Sequence, residues 1–223
     1  EAKQEGIFHL DIRLRPHGGK GSLTNPLEEI ISYYSPTGLA APFERQSMIK
    51  LRTVAGDAAL GKQVEAHRDH YVYGGEPWDL PTALDLRRAQ LKQLVESGTV
   101  NVKHSAGGLV DIEFMAQHLQ LVHAAAHPDV LDQSTLGALH RLDRAGLLPP
   151  GAAEVLMPAA RLINDLTQVQ RLCVDGPFQP ASAPSGLLDL MVRVAAAPGF
   201  THLEADLEAM LAATAALFDV VVA

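Results

Sequence analysis

Helical hydrophobic periodicity dominates this chain and limits the folds open to it. From Asp57 to residue 223, apolar residues recur at helical spacing between turns that contain glycine or proline. The pattern contains no repeat of fixed period and no heptad run, so it predicts a compact helical bundle. The predicted helices lie at about 57–73, 82–97, 109–126, 133–145, 151–174, 185–196 and 200–220.

The first 56 residues have a different character. Residues 8–15 alternate apolar and polar side chains, which predicts a half-buried strand with a charged polar face. Because a lone strand is not stable by itself, we expect its sheet partners to come from sequence upstream of residue 1. The sequence thus predicts a mainly α protein, with a short strand-bearing region at residues 1–56 and a helical bundle domain at residues 57–223.

Charge is divided unevenly between the two parts of the chain. Residues 1–103 carry 13 Lys and Arg against 13 Asp and Glu, whereas residues 104–223 carry 5 against 13. An anionic substrate is therefore expected in the first part, and the net charge of −8 argues against a nucleic-acid partner. No apolar run approaches the roughly 20 residues of a membrane span, and a single cysteine fits a reducing compartment. We expect a cytoplasmic protein with no membrane partner.

The segment LDIRLRPHGGKG combines one carboxylate, two arginines and a glycine-rich loop. Asp11 suits a divalent cation, and Arg13 or Arg15 suits the oxygens of a phosphate group. A salt-bridged strand face is the commoner origin of such a trio. Spacing alone leaves both interpretations open.

A second cluster of candidate residues lies in NVKHSAGGLVDIEFMAQ. Lys103 ends an extended segment, the glycine pair 107–108 makes a turn, and Asp111 and Glu113 fall in the first turns of the next helix. Free N–H groups at such a helix start bind anions, which favours a phosphate cradle. Asp111 and Glu113 serve equally well as residues that complement the helix dipole, so this pattern is weak by itself.

The segment FERQSMIKLRTVAG predicts a helix that ends at Gly56, with Phe43 and Val54 directed inward. Most charges on such a helix are solvated, although Arg45 and Arg52 are spaced to form a basic stripe towards phosphate. The chain contains no G-x-S-x-G, Walker or G-x-G-x-x-G motif, and its histidines show no convincing metal-binding spacing.

These segments, in this order, resemble a known family. LDIRLRPHGGKGSL, YYSPTGLAAPFERQSMIKLRTVAGD and VKHSAGGLVDIEFMAQHLQLVHA are similar to the run found in glutamine synthetase adenylyltransferase, over about residues 7–150. The resemblance implies a bifunctional enzyme that uses ATP to attach AMP to a tyrosine of glutamine synthetase and removes it by phosphorolysis.

The resemblance also implies roles for particular residues. The family's catalytic domain resembles the polymerase-beta type of nucleotidyltransferase, in which three carboxylates on a sheet hold two Mg²⁺ ions. By this resemblance, residues 1–56 are expected to be the C-terminal part of such a nucleotidyltransferase domain. Asp11 matches the third of these catalytic carboxylates, and Arg13 and Arg15 match the arginines that follow it. Three residues match the second motif, where the helical region closes against the nucleotide: Lys103, Asp111 and Glu113.

The same resemblance predicts an incomplete site. The family's other two carboxylates form an aspartate pair upstream of the strand that carries Asp11, and this chain begins after them. We expect a fragment that does not transfer AMP alone. We expect it to come from the C-terminal, adenylylating half, because its final helices are similar to those of that half. The AMP-removing half is the alternative, since ERQSMIK is a little closer to it.

Other functions stay open at this point. The helical region would suit a non-catalytic docking or regulatory module that binds glutamine synthetase or a PII-type signalling protein through a helix face. A related uridylyltransferase is a further alternative, although GGLVDIEF fits the adenylyltransferases better.

Overall fold

The structure is a computed structural model that describes residues 11–74, 77–95, 101–174 and 178–223. Within these ranges the regular elements are helices, and no strand occurs. None of the described helices is both long and apolar enough to cross a membrane. The chain divides into two compact units, residues 1–79 and 80–223.

The described residues of the first unit form three α-helices: α1 Leu27–Tyr33, α2 Pro42–Met48 and α3 Ala58–Tyr73. Helix α2 packs against α3. The Asp57 side chain caps α3 by accepting a hydrogen bond from the Leu60 N–H at 2.8 Å. At the other end of α3, the buried Arg45 guanidinium donates to the Val72 and Pro77 carbonyls at 2.8 and 3.0 Å.

The predicted strand is not seen in the described part of the chain. Residues 11–14 belong to no helix or strand, and residues 1–10 lie outside the described residues. Local hydrogen bonds bend the backbone here, from the Arg15 N–H to the Arg13 carbonyl and from the Gly18 N–H to the Arg15 carbonyl, both at 2.9 Å. A strand needs a neighbour to accept and donate its backbone hydrogen bonds, and the described residues supply none.

The predicted helix from Phe43 to Gly56 is also wrong in its second half. α2 ends at Met48, and residues 51–54 are non-helical. Side chains of α3 hold this segment instead, since Glu65 accepts from the Thr53 N–H at 2.7 Å and Arg68 donates to the Leu51 carbonyl. Phe43 and Val54, predicted to point inward, are 42% and 81% exposed.

The described residues of the second unit form these helices: α4 Leu80–Leu94, α5 Leu109–His123, α6 Thr135–Arg144, α7 Ala152–Cys173, α8 Ser185–Val194 and α9 Phe200–Val221. They make a bundle around α5. This helix contacts α6, α7 and α9, and most of its side chains are buried, including Ile112 and Met115 at 0% exposure. Large aliphatic residues of α6 and α7, such as Leu139, Leu156 and Ile163, complete the core.

The bundle prediction is confirmed for these elements, with ends that differ by a few residues. The units divide between Asp79 and Leu80, further along the chain than the predicted domain boundary between residues 56 and 57. The contacts between α2 and α3 group α3 with the first unit, and the domain boundary between residues 56 and 57 stays a prediction. The assignment of residues 1–56 to a nucleotidyltransferase domain stays a prediction.

Candidate functional site

Asp11 lies in an exposed ion pair with Arg13. Its carboxylate accepts from the Arg13 guanidinium at 2.6 and 2.9 Å and from the Arg13 N–H at 3.0 Å. These hydrogen bonds lower the pKa of Asp11 from 3.8 to about 2. The carboxylate is therefore ionised at neutral pH, and its exposed partner leaves it accessible to a cation.

Arg15 holds the glycine-rich loop together. Its guanidinium donates to the Gly21 carbonyl at 3.2 and 3.3 Å and to the Ile12 carbonyl. Residues Gly18–Lys20 form a 3-10 turn, and a Cβ on Gly21 would lie 1.9 Å from the Pro16 carbonyl oxygen. The loop is thus a folded turn organised by Arg15, while Arg13 binds the carboxylate.

The charged residues Glu44 and Arg45 of α2 form hydrogen bonds that connect this helix to other parts of the first unit. Glu44 accepts from the hydroxyls of Tyr33 and Tyr34 at 3.1 and 3.2 Å and from the Ala41 N–H at 3.0 Å. Arg45 is 6% exposed and binds backbone carbonyls at the end of α3. The sequence expectation of a basic stripe made by Arg45 and Arg52 is not met, because Arg45 is buried and Arg52 lies beyond the end of α2.

The glycine pair that precedes α5 makes close backbone contacts. Gly107 has φ +73°, and a Cβ there would lie 1.9 Å from the Leu211 carbonyl oxygen of α9. A Cβ on Gly108 would lie 2.7 to 2.9 Å from the carbonyl oxygens of Val102, Lys103 and Ser105. Glycine is therefore required at both positions because this turn packs directly against another helix and against itself.

A buried ion pair locks the same turn. The Arg87 Nε donates to the Asp111 Oδ1 at 2.6 Å, and both side chains are 7% exposed. The second oxygen of Asp111 accepts from the Gly107 N–H at 2.7 Å, and Arg87 also donates to the His104 carbonyl at 3.0 Å. Asp111 therefore neutralises a buried cation and satisfies the backbone of the glycine turn.

Lys103 lies on this locked turn. The Asn101 side chain accepts from the Lys103 and His104 N–H groups at 3.1 and 3.2 Å, and the Lys103 carbonyl accepts from the Val110 N–H at 3.0 Å. Burial, Lys103 and Arg87 lower the pKa of the adjacent His104. The backbone of Lys103 is thus fixed, and its side chain is partly exposed.

The structure brings Lys103 and Asp111 to one turn and places Glu113, also partly exposed, on the first turns of α5. Sequence reasoning missed Arg87, which organises this turn. Its signal was present, because Arg87 is one helical turn after the buried Ala83 on α4 and so falls on the inward face.

Magnesium is the metal that the resemblance implied. No three His, Cys, Asp or Glu side chains in the described ranges converge closely enough to hold a metal ion. Asp11 supplies one carboxylate, which is bonded to Arg13. The described residues do not by themselves make a magnesium site, and we derive no catalytic step through the ion.

Comparisons with known proteins match both parts of the chain. A family model described as glutamate-ammonia ligase adenylyltransferase matches residues 1–67, and one described as GlnD PII-uridylyltransferase matches residues 83–221. Adenylyl and uridylyl transfer are both nucleotidyl transfer, so the chain falls in a class of nucleotidyltransferases. The second match contains GGLVDIEF, so that segment does not separate the two kinds of enzyme.

Curated relatives define the family more closely. Proteins named bifunctional glutamine synthetase adenylyltransferase/adenylyl-removing enzyme are 36% identical over 96% of the chain in Rhodopseudomonas palustris and 38% over 89% in Bradyrhizobium diazoefficiens. A protein of the same name from Xanthobacter autotrophicus is 37% identical over 96%. The chain belongs to the glutamine synthetase adenylyltransferase family. It spans about a fifth of these relatives, 22%, 20% and 22% of their lengths.

Proposed function

We propose that this chain is part of an enzyme that transfers AMP from ATP to a tyrosine of glutamine synthetase and so regulates nitrogen assimilation in the cytoplasm. The observation that carries the proposal is the agreement of relatives over nearly the whole chain, each named as a bifunctional adenylyltransferase and adenylyl-removing enzyme. We assign the chain to the adenylylating half, because its last helices are similar to the C-terminal end of that half.

In this proposal Asp11 contributes one catalytic carboxylate to a Mg²⁺ site that takes its other ligands from elsewhere in the enzyme. Its ionised and exposed carboxylate supports this role. Arg13 is free to exchange Asp11 for phosphate oxygens, since an exposed ion pair is weak. Arg15 contributes by holding the glycine-rich loop through its carbonyl contacts.

The second motif is proposed to belong to the nucleotide-binding region. Lys103 has a fixed backbone and a partly exposed side chain, which suits an ammonium group that meets phosphate. Asp111 acts by holding the turn that carries Lys103, because both of its oxygens are already bonded within the protein. Glu113 lies on the adjoining first turns of α5.

One observation favours a second candidate function for the helical unit. Residues 83–221 match the model described as GlnD PII-uridylyltransferase, so this bundle is shared between two kinds of nucleotidyltransferase. A shared bundle also suits a docking or regulatory role towards a PII-type signalling protein or glutamine synthetase. A measurement of nucleotide binding distinguishes the catalytic function from the docking function, because a docking module does not need Lys103 to contact ATP.

The test is Asp11→Asn in the complete enzyme, with AMP incorporation into glutamine synthetase as the readout. We expect a loss of more than about a hundredfold, since one metal-binding carboxylate is removed. Asp69→Asn is the matched control, because Asp69 also lies in an ion pair of the first unit, with Arg68 at 2.7 Å. If both variants showed the same AMP incorporation and the same phosphorolytic AMP removal, the metal-binding role would be contradicted.

The same variants distinguish the two halves of the enzyme. If Asp11 belongs to the adenylylating half, Asp11→Asn lowers AMP incorporation and leaves phosphorolytic AMP removal unchanged. The reverse pattern assigns the chain to the AMP-removing half. We also propose that the 223-residue chain alone does not transfer AMP, and metal-dependent incorporation by the isolated chain would refute this.

A further inference from the structure

The helical unit contains a cavity that the proposed reaction does not use. Its volume is about 330 Å³, and it lies among α7, α8, α9 and the segment 178–181. Val102, Met191 and Leu207 line it, and each is less than 10% exposed. A concave site of this size with apolar walls is typical of small-molecule binding.

Two aromatic rings form one wall of the cavity. Phe178 and Phe200 have their ring centroids 6.4 Å apart, with an angle of 68° between the ring planes. Both rings are partly exposed. Ring faces of this kind bind another ring or attract a cation.

The charges on the cavity wall are of one sign. Glu204 and Glu208 both line it, one helical turn apart on α9, and both are exposed. Neither carboxylate makes an ion pair with another described residue. The other polar side chains of the wall are the amides Gln170 and Gln179, so no cation among the described wall residues opposes the two carboxylates.

We propose that this cavity binds a small molecule with an aromatic or aliphatic body and a positively charged amine. The apolar body fills the space over Met191 and Leu207 and stacks on the phenylalanine rings. The ammonium group lies at the rim, where the two glutamates attract it and where an anionic group would be repelled. The apolar walls, the two aromatic rings and the two carboxylates together define one class of ligand.

Three probes that share a phenyl ring test the proposal on the 223-residue chain. They are 2-phenylethylamine, 2-phenylethanol and 3-phenylpropionate, titrated at about pH 7 with amide chemical shifts as the readout. We expect the amine to bind about tenfold more tightly than the alcohol, since two carboxylates each contribute a few-fold. The carboxylate probe should bind most weakly, and the shifted amides should belong to α8 and α9.

Substitutions on α9 test whether the probes bind in this cavity. The double variant Glu204→Gln with Glu208→Gln should reduce the affinity for the amine to that for the alcohol and leave the affinity for the alcohol unchanged. Asp206→Asn is the control, since Asp206 lies between them on α9 and does not line the cavity. The proposal is overturned if no probe binds at millimolar concentration, if the amine has no advantage, or if Asp206→Asn has the effect of the double variant.

Discussion

Asp11 and Asp111 each form an ion pair with an arginine, in very different surroundings. Asp11 and Arg13 are 57% and 78% exposed, whereas Asp111 and Arg87 are both 7% exposed, although each pair closes at 2.6 Å. Water and salt screen the exposed pair, so its partners exchange easily for other ions. The buried pair cannot be broken without leaving an unpaired charge inside the protein.

The buried pair should therefore matter for stability. Asp111→Asn leaves the Arg87 charge buried without its counter-ion, and we expect a loss of about 3 to 5 kcal/mol in the unfolding free energy of the helical unit. Asp85→Asn removes the same group from an exposed pair with Arg88 on α4 and should cost no more than about 0.5 kcal/mol. Hydrogen exchange of amides in α5 measures the loss of unfolding free energy in each of the two variants. Similar losses in the two variants would show that the buried pair has no special role.

The exposed pair of Asp11 and Arg13 should be detectable as a lowered pKa of Asp11 in a pH titration. Asp11 has a folded pKa of about 2, below its ordinary value of 3.8, so its contribution to stability is present above pH 3.8 and is lost as the pH falls towards 2. Arg13→Gln removes the guanidinium hydrogen bonds, which are the largest cause of this shift, and keeps the hydrogen bond from the backbone N–H of residue 13. The Asp11 titration midpoint should therefore rise part of the way towards 3.8. NMR of the carboxyl carbon measures the midpoint. An unchanged midpoint in Arg13→Gln would mean that another group holds the pKa down.

At the scale of elements, the glycine turn joins the start of α5 to α9. Gly107 has both a left-handed backbone and a close contact with the Leu211 carbonyl. Gly146 has a similar φ of +68°, but a Cβ there would meet no heavy atom within 4 Å among the described residues. The two glycines therefore separate the cost of backbone strain from the cost of a clash between elements.

Substitution of each glycine by alanine measures the cost of backbone strain and the cost of the clash with α9. Gly146→Ala should cost about 1 to 2 kcal/mol, which is the penalty of the left-handed conformation alone. Gly107→Ala should cost more than about 4 kcal/mol or prevent folding, because α9 must move away from the turn. Hydrogen exchange in α5 and α9 gives both values. Equal costs would mean that α9 moves aside easily.

Sequence patterns predicted the second unit well because its helices depend on local periodicity and on one apolar face. They failed where tertiary contacts decide the backbone. Residues 51–54 continue the helical spacing of α2, yet Glu65 and Arg68 of α3 bind their backbone and hold them non-helical. The inward position of Arg87 on α4 could be read from helical spacing, but its ion pair could not, because Asp111 is 24 residues away in sequence.

For the whole molecule, the limits of the compact units differ from the limits predicted from composition. The change from mixed to wholly helical sequence at residue 56 suggested a domain boundary, but α3 packs on α2. Arg45 of α2 also donates to the Val72 carbonyl in the last turn of α3 and to the Pro77 carbonyl after it. Most of the stability of a helix in a protein comes from its tertiary packing, so we expect α3 to depend on these contacts.

Two fragments therefore test where the helical unit begins. We expect residues 80–223 to fold alone, with a cooperative urea transition followed by circular dichroism, because the compact unit begins at Leu80. The longer fragment 57–223 should unfold at the same urea concentration, and limited proteolysis should remove its α3 because α2 is missing. A lower midpoint for residues 80–223 than for 57–223 would mean that α3 stabilises the bundle and that the boundary at residue 56 is the better one.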